Sequence, residues 1–110
     1  MAIDWVAVGV AVEGELQQLL KEAWDKVAST AGPQVTAMVQ VGADIERQAA
    51  ATPPTITPDG YAFLKLNQQR TLETVLATYE AIGAAMALRA AASAWAVIEK
   101  ALAGALPFPV

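Results

Sequence analysis

The side chains able to do chemistry are few, and their spacing works against it. The 110 residues contain neither cysteine nor histidine, which removes thiolate nucleophiles, imidazole bases, disulfides and the usual zinc ligand sets. Carboxylates come in two close pairs, Glu13 with Glu15 and Asp44 with Glu46, and paired acids are what general acid–base catalysis or a hard cation needs. On a helix, however, residues two apart diverge by about 200° and do not converge on one atom. Each pair therefore reads as a solvated face. Ser29, Thr30 and Thr55 carry hydroxyls with no neighbouring base to activate them, and no phosphate-binding or nucleic-acid motif is present. The expectation is a non-enzymatic protein with no catalytic residues, no cofactor and no metal.

Charge narrows the partners. The formal charge is −4, and residues 1–32 hold five acids (Asp4, Glu13, Glu15, Glu22, Asp25) against Lys21 and Lys26. Residues 61–110 are slightly basic, with Lys65, Arg70, Arg89 and Lys100 against Glu73, Glu80 and Glu99. No stretch is basic enough to neutralise a run of phosphates, so nucleic acid is not an expected partner. A mildly basic C-terminal segment can instead lie against an acidic N-terminal one, within or between subunits. Asp4 and Trp5 stand where a cleaved export signal would carry Lys or Arg, which favours a cytoplasmic or virion-associated location.

The elements that must position these groups read as helices within one all-α domain. Residues 1–12 are ambiguous: Val6, Val8, Val10 and Val12 alternate like a strand, yet Asp4 can cap a helix running on past residue 12, and a lone strand has nothing to pair with, so a helix is favoured, with a mobile or partner-bound arm as the other outcome. Leu16, Leu19, Leu20, Ala23, Trp24, Val27 and Ala31 then repeat at three and four residues and predict a helix over 13–31. Gly32 and Pro33 read as its stop and the start of the next. A second stripe of Val35, Met38, Val39, Gly42, Ile45 and Ala49 predicts a helix over 33–51, and the short junction favours an antiparallel hairpin. Residues 52–57 contain Pro53 and Pro54 and read as a stiff connector. Thr57 as cap, Pro58 and Asp59 then open a third helix, with nothing to stop it before Pro107 except an isolated glycine, Gly83. Residues 107–110 form an apolar tail.

That third helix, 58–106, is the organising element. Unbroken, it is about 70 Å long against a hairpin of about 30 Å, by the usual rise per residue. The bundle is then expected to be completed by oligomerisation, and a break near Gly83 is the alternative. Within it Gly83, Ala87 and Ala91 stand four apart, with Ala90 and Ala94 on a neighbouring row and Met86 and Trp95 beside them. Small residues at that spacing let two helix backbones approach closely, so these are candidate interaction residues. Arg89 sits among them and needs a carboxylate such as Glu13, Glu15 or Asp44, a residue of another subunit, or solvent. Trp5, Trp24 and Trp95 lie on apolar faces, where tryptophan is most often core.

The function these features suggest is structural: assembly by helix–helix packing, in a homo-oligomer or a larger protein complex. Small, acidic, alanine-rich helical proteins without site chemistry are common among phage virion and adaptor components. Two alternatives differ in class. Residues 81–98 can be read as a membrane-active segment of the holin or ejection type, although Arg89 at its centre costs at least ~2.5 kcal/mol in a bilayer. A small inhibitor or regulator of one protein target is the other. Length and alanine content are similar to the helical hairpins of type VII secretion substrates, but the Trp-x-Gly turn of that family is missing, since Trp24 is followed by Asp25 and Lys26.

Overall fold

The computed structural model describes residues 2–110, and all regular structure among them is helical. Four helices follow one another: α1 (Trp5–Leu20), α2 (Glu22–Ala50), α3 (Pro58–Ala77) and α4 (Gly83–Leu102). Each packs on the next, α1 closes the ring against α4, and α2 reaches α4 across the middle, while α1 and α3 sit on opposite corners and do not touch. This is the arrangement of an up-and-down four-helix bundle. The radius of gyration, 14.0 Å, is close to the ~13 Å of a compact chain of this length. The 46 Å long axis corresponds to α2, whose 29 residues rise about 44 Å.

Local chemistry explains the helix starts. Asp4 is extended and accepts a hydrogen bond from the Ala7 N–H at 3.2 Å, capping α1. At α3, Thr57 accepts from the Gly60 N–H at 3.0 Å, and Pro58 occupies the first helical position, where its missing N–H costs nothing.

The first two helices are divided differently from the sequence expectation. The turn lies at Lys21, not at Gly32-Pro33, so the helices are 5–20 and 22–50 instead of 13–31 and 33–51. Lys21 adopts φ 53°, a left-handed conformation that strains a side-chain-bearing residue by about 1–3 kcal/mol. Burial on both sides outweighs that strain: Val12, Leu16 and Leu20 of α1 face the same core as Trp24, Val27, Ala31, Val35, Met38 and Ile45 of α2. Pro33 stays inside α2 because it is on the solvent side. The carbonyl it leaves without a partner belongs to Ser29, which is exposed and open to water.

Of the two expectations for residues 58–106, a continuous helix and a break near Gly83, the structure shows the break, with two helices in place of one. The chain turns through Thr78–Ile82, just ahead of Gly83, which takes φ 75° and so uses the freedom of a residue without Cβ. Thr78 Oγ1 donates to the Val75 carbonyl at 2.6 Å, the Ile82 and Gly83 N–H groups both donate to the Tyr79 carbonyl, and Tyr79 Oη donates to Thr30 Oγ1 at 2.9 Å, tying the turn to α2. Folding back sets α4 against α1 and α3, and Ala87, Ala90, Ala91, Ala94, Trp95, Ile98 and Leu102 are all buried. The demand for outside cover made by a 70 Å helix therefore falls away, because the chain covers α4 itself.

The connector is also more than a spacer. Thr55 donates its N–H back to the Gln48 carbonyl at 3.0 Å, and Ile56 is buried in the core. The tail returns too: Phe108 lies edge-on to Tyr61, with ring centroids 6.0 Å apart.

Candidate functional site

The carboxylate pairs separate as the helix geometry requires. Glu13 is exposed and Glu15 half-buried on α1. Asp44 is ion-paired to Arg47 one turn on, whereas Glu46 is a clasp: Oε2 accepts from the Ile3 N–H at 2.8 Å and Oε1 from Trp5 Nε1 at 2.8 Å. Both oxygens of Glu46 are thus spent on holding the N-terminal segment against α2. Among the described residues no three acids gather into a cation site.

A second polar cluster joins α3 to α4. Tyr61 Oη donates to Glu99 Oε2 at 2.6 Å, Lys65 Nζ donates to the same oxygen at 3.0 Å, and Trp95 Nε1 donates to Tyr61 Oη at 3.1 Å. Burial, then the bond to the Glu99 carboxylate, pushes the Tyr61 hydroxyl far above its ordinary 10.0. Burial alone would raise Glu99. The hydrogen bonds from Tyr61 and Lys65 and the Lys65 charge outweigh it and hold the carboxyl below its ordinary 4.5. A carboxyl depressed in the folded state stabilises fully above its unfolded pKa, and that contribution is lost as pH falls through the folded value. In Glu99→Gln the acceptor remains and the charge goes. The melting temperature of the native protein should therefore exceed that of Glu99→Gln at about pH 6, with the gap narrowing by about pH 3. A gap independent of pH would show that the Glu99 charge contributes nothing.

The residues singled out on the third predicted helix are dispersed in role. Ala87, Ala90, Ala91, Ala94 and Trp95 are buried inside their own chain, so their small-residue packing joins α4 to its neighbours within the bundle. Met86 is half-buried, and Gly83 starts α4. Arg89 is exposed, and none of the ion pairs among the described residues includes it; Glu13, Glu15 and Asp44 are not its partners in this chain. Trp24 is buried and Trp5 half-buried. Among the described residues no helix is long and apolar enough to cross a membrane, and residues 81–98 are divided between a turn and α4.

What the sequence left unmarked is the outer surface. Large apolar side chains face solvent on two opposite helices: Val6 and Val10, 80% and 67% exposed, four apart on α1, and Phe63 and Leu66, 67% and 46% exposed, three apart on α3. Leu88 on α4 is a further one. The available signal was position off the core stripe. Phe63 and Leu66 fall between Tyr61, Leu64, Gln68 and Leu72 on the face where polar residues belong.

Two surface features accompany these side chains. An open groove of about 280 Å³ runs between α1 and α2, with Trp5, Val6, Gly9, Val39 and Ala43 as its apolar lining and Glu13, Thr36 and Gln40 at its polar edge. It is wide because Gly9 has no side chain to fill it; a Cβ there would meet only Val39 Cγ2, at 3.9 Å. On α3, Phe63, Leu66, Asn67 and Arg70 border a second depression of about 250 Å³. Comparison with protein-family models, with curated proteins and with solved structures returned no match. The functional reading therefore rests on these surfaces.

Proposed function

We propose that this protein is a non-enzymatic assembly component that works by helix–helix packing with further copies of itself, as in the shells, tubes and adaptors of larger complexes such as phage virions. One observation carries the proposal: the bundle already buries its own core, yet it presents large apolar side chains in adjacent pairs on outward helix faces. Single exposed apolar residues are ordinary; grouped ones beside a groove mark a surface that meets protein. The polar clusters support the same reading, since Glu46 and the Tyr61–Glu99–Lys65 group are engaged in joining elements of the fold.

Light scattering across a concentration series tests this. The mass should rise from one chain toward multiples of it in the micromolar range. A protein that stays monomeric there sinks the proposal and leaves the role of a small regulator bound to a different protein.

A further inference from the structure

We propose that the groove between α1 and α2 receives Phe63 and Leu66 of a second copy, with that copy's Arg70 facing Glu13, so that copies join head to tail. The inference rests on the self-association proposed above and names its surfaces.

Charge separates this pairing from its rival. Residues 1–50, which make both groove walls, carry seven acids (Asp4, Glu13, Glu15, Glu22, Asp25, Asp44, Glu46) against three bases (Lys21, Lys26, Arg47). Residues 51–110 carry four acids (Asp59, Glu73, Glu80, Glu99) and four bases (Lys65, Arg70, Arg89, Lys100). The whole net charge of −4 thus sits on the groove-bearing half. Groove-to-groove pairing sets two acidic faces against each other, which costs free energy and slows encounter. Groove-to-α3 pairing brings an apolar groove with one acid at its edge, Glu13, to a projection made of the exposed side chains of Phe63 and Leu66, which are flanked by the exposed cation Arg70 on one side and the exposed acid Asp59 on the other.

Topology decides the symmetry. Since α1 and α3 occupy opposite corners of the bundle, Phe63 and Leu66 cannot enter the groove of their own chain. The two patches are different surfaces on different sides, which makes the contact heterologous: copies add in one direction, closing into a ring or continuing as a filament. Groove and projection both remain open at the ends of any short assembly.

The test is a mixing experiment with two folded variants. Gly9→Arg fills the groove with a bulky cation from a position with room for a side chain, and Phe63→Ser removes the exposed ring from α3 without adding a charge that the blocked groove could attract. Thr36→Arg and Leu66→Ser serve as second variants, and circular dichroism confirms that each is folded. Each variant alone should self-associate about tenfold or more weakly than the native chain. An equimolar mixture of a groove variant and a projection variant should form a heterodimer and stop there, because only one intact groove and one intact projection remain. High salt should weaken that heterodimer. If the native chain assembles but the mixed variants stay monomeric, head-to-tail pairing is overturned while self-association stands. If the native chain is itself monomeric, the proposed function has failed first, and this inference with it.

Discussion

Replacing Trp95 by alanine should lower the stability of the folded chain by about 3–5 kcal/mol, the range for losing a large aromatic side chain from a packed interior. Trp95 is fully buried on α4 and its ring centroid lies 6.2 Å from that of Tyr61. It also donates Nε1–H to Tyr61 Oη. Truncation removes the ring, leaves a cavity among side chains fixed on several helices, and withdraws a donor from a hydroxyl that is itself bound to Glu99. Trp95→Phe separates these effects. It keeps most of the volume but loses the hydrogen bond and part of the ring, so it should cost less, about 1–3 kcal/mol. Urea unfolding reads both, as a shift in midpoint at constant slope. The measurement also decides between two roles for this residue. If Trp95 served a partner instead of the core, alanine would weaken association and leave the unfolding midpoint alone.

That ambiguity shows what the sequence makes legible and what it hides. Helical class follows from apolar residues at three and four apart, and the α3 start follows from Thr57-Pro58, because capping is local chemistry written in adjacent residues. Turns without a breaker are not written locally. Lys21 forms a turn because the stripes Val12, Leu16, Leu20 and Trp24, Val27, Ala31 can then face one core, and their common spacing across residue 21 looks from the sequence like one helix. Gly32-Pro33 is the reverse case: strong punctuation overridden because Pro33 falls on the wet side of a helix held by its other face. The α3–α4 turn needed five residues of ordinary composition ahead of Gly83. Both turns have one origin, since the cost of a turn is local while the gain from folding back is set by distant residues.

The candidate surface was hidden for a related reason. The small residues Gly83, Ala87, Ala91 and Ala94 marked close packing, but pattern alone does not say whether the neighbour is another helix of the same chain or of another. Once the chain folds back at Thr78–Ile82, its own helices take that place. The large apolar residues left exposed are then those off the stripe, among them Val6, Val10, Phe63, Leu66 and Leu88. Large side chains on an outward face carry more information about assembly here than small ones on an inward face.

Gly42→Ala should destabilise the protein by about 1–3 kcal/mol, even though alanine is the better helix former by roughly 1 kcal/mol. An added Cβ would lie 2.7 Å from Trp5 Cζ3, 2.8 Å from Trp5 Cη2 and 3.0 Å from Ile98 Cγ2. What the glycine admits is the edge of an indole ring. That ring is tethered, because Trp5 Nε1 donates to Glu46 Oε1 at 2.8 Å. Moving it aside stretches a hydrogen bond to a carboxylate and pulls on the Ile3 N–H held by the same side chain. The attribution is tested by a double-mutant cycle in urea. In a Trp5→Ala background the ring is gone, so Gly42→Ala should cost clearly less, and the gain in helix propensity can even make it favourable. The same cost in both backgrounds would place the strain at Ile98 and remove Trp5 from the account. If the cycle does show coupling, the one glycine in the α2 core stripe is there to seat the N-terminal tryptophan that forms one end of the groove.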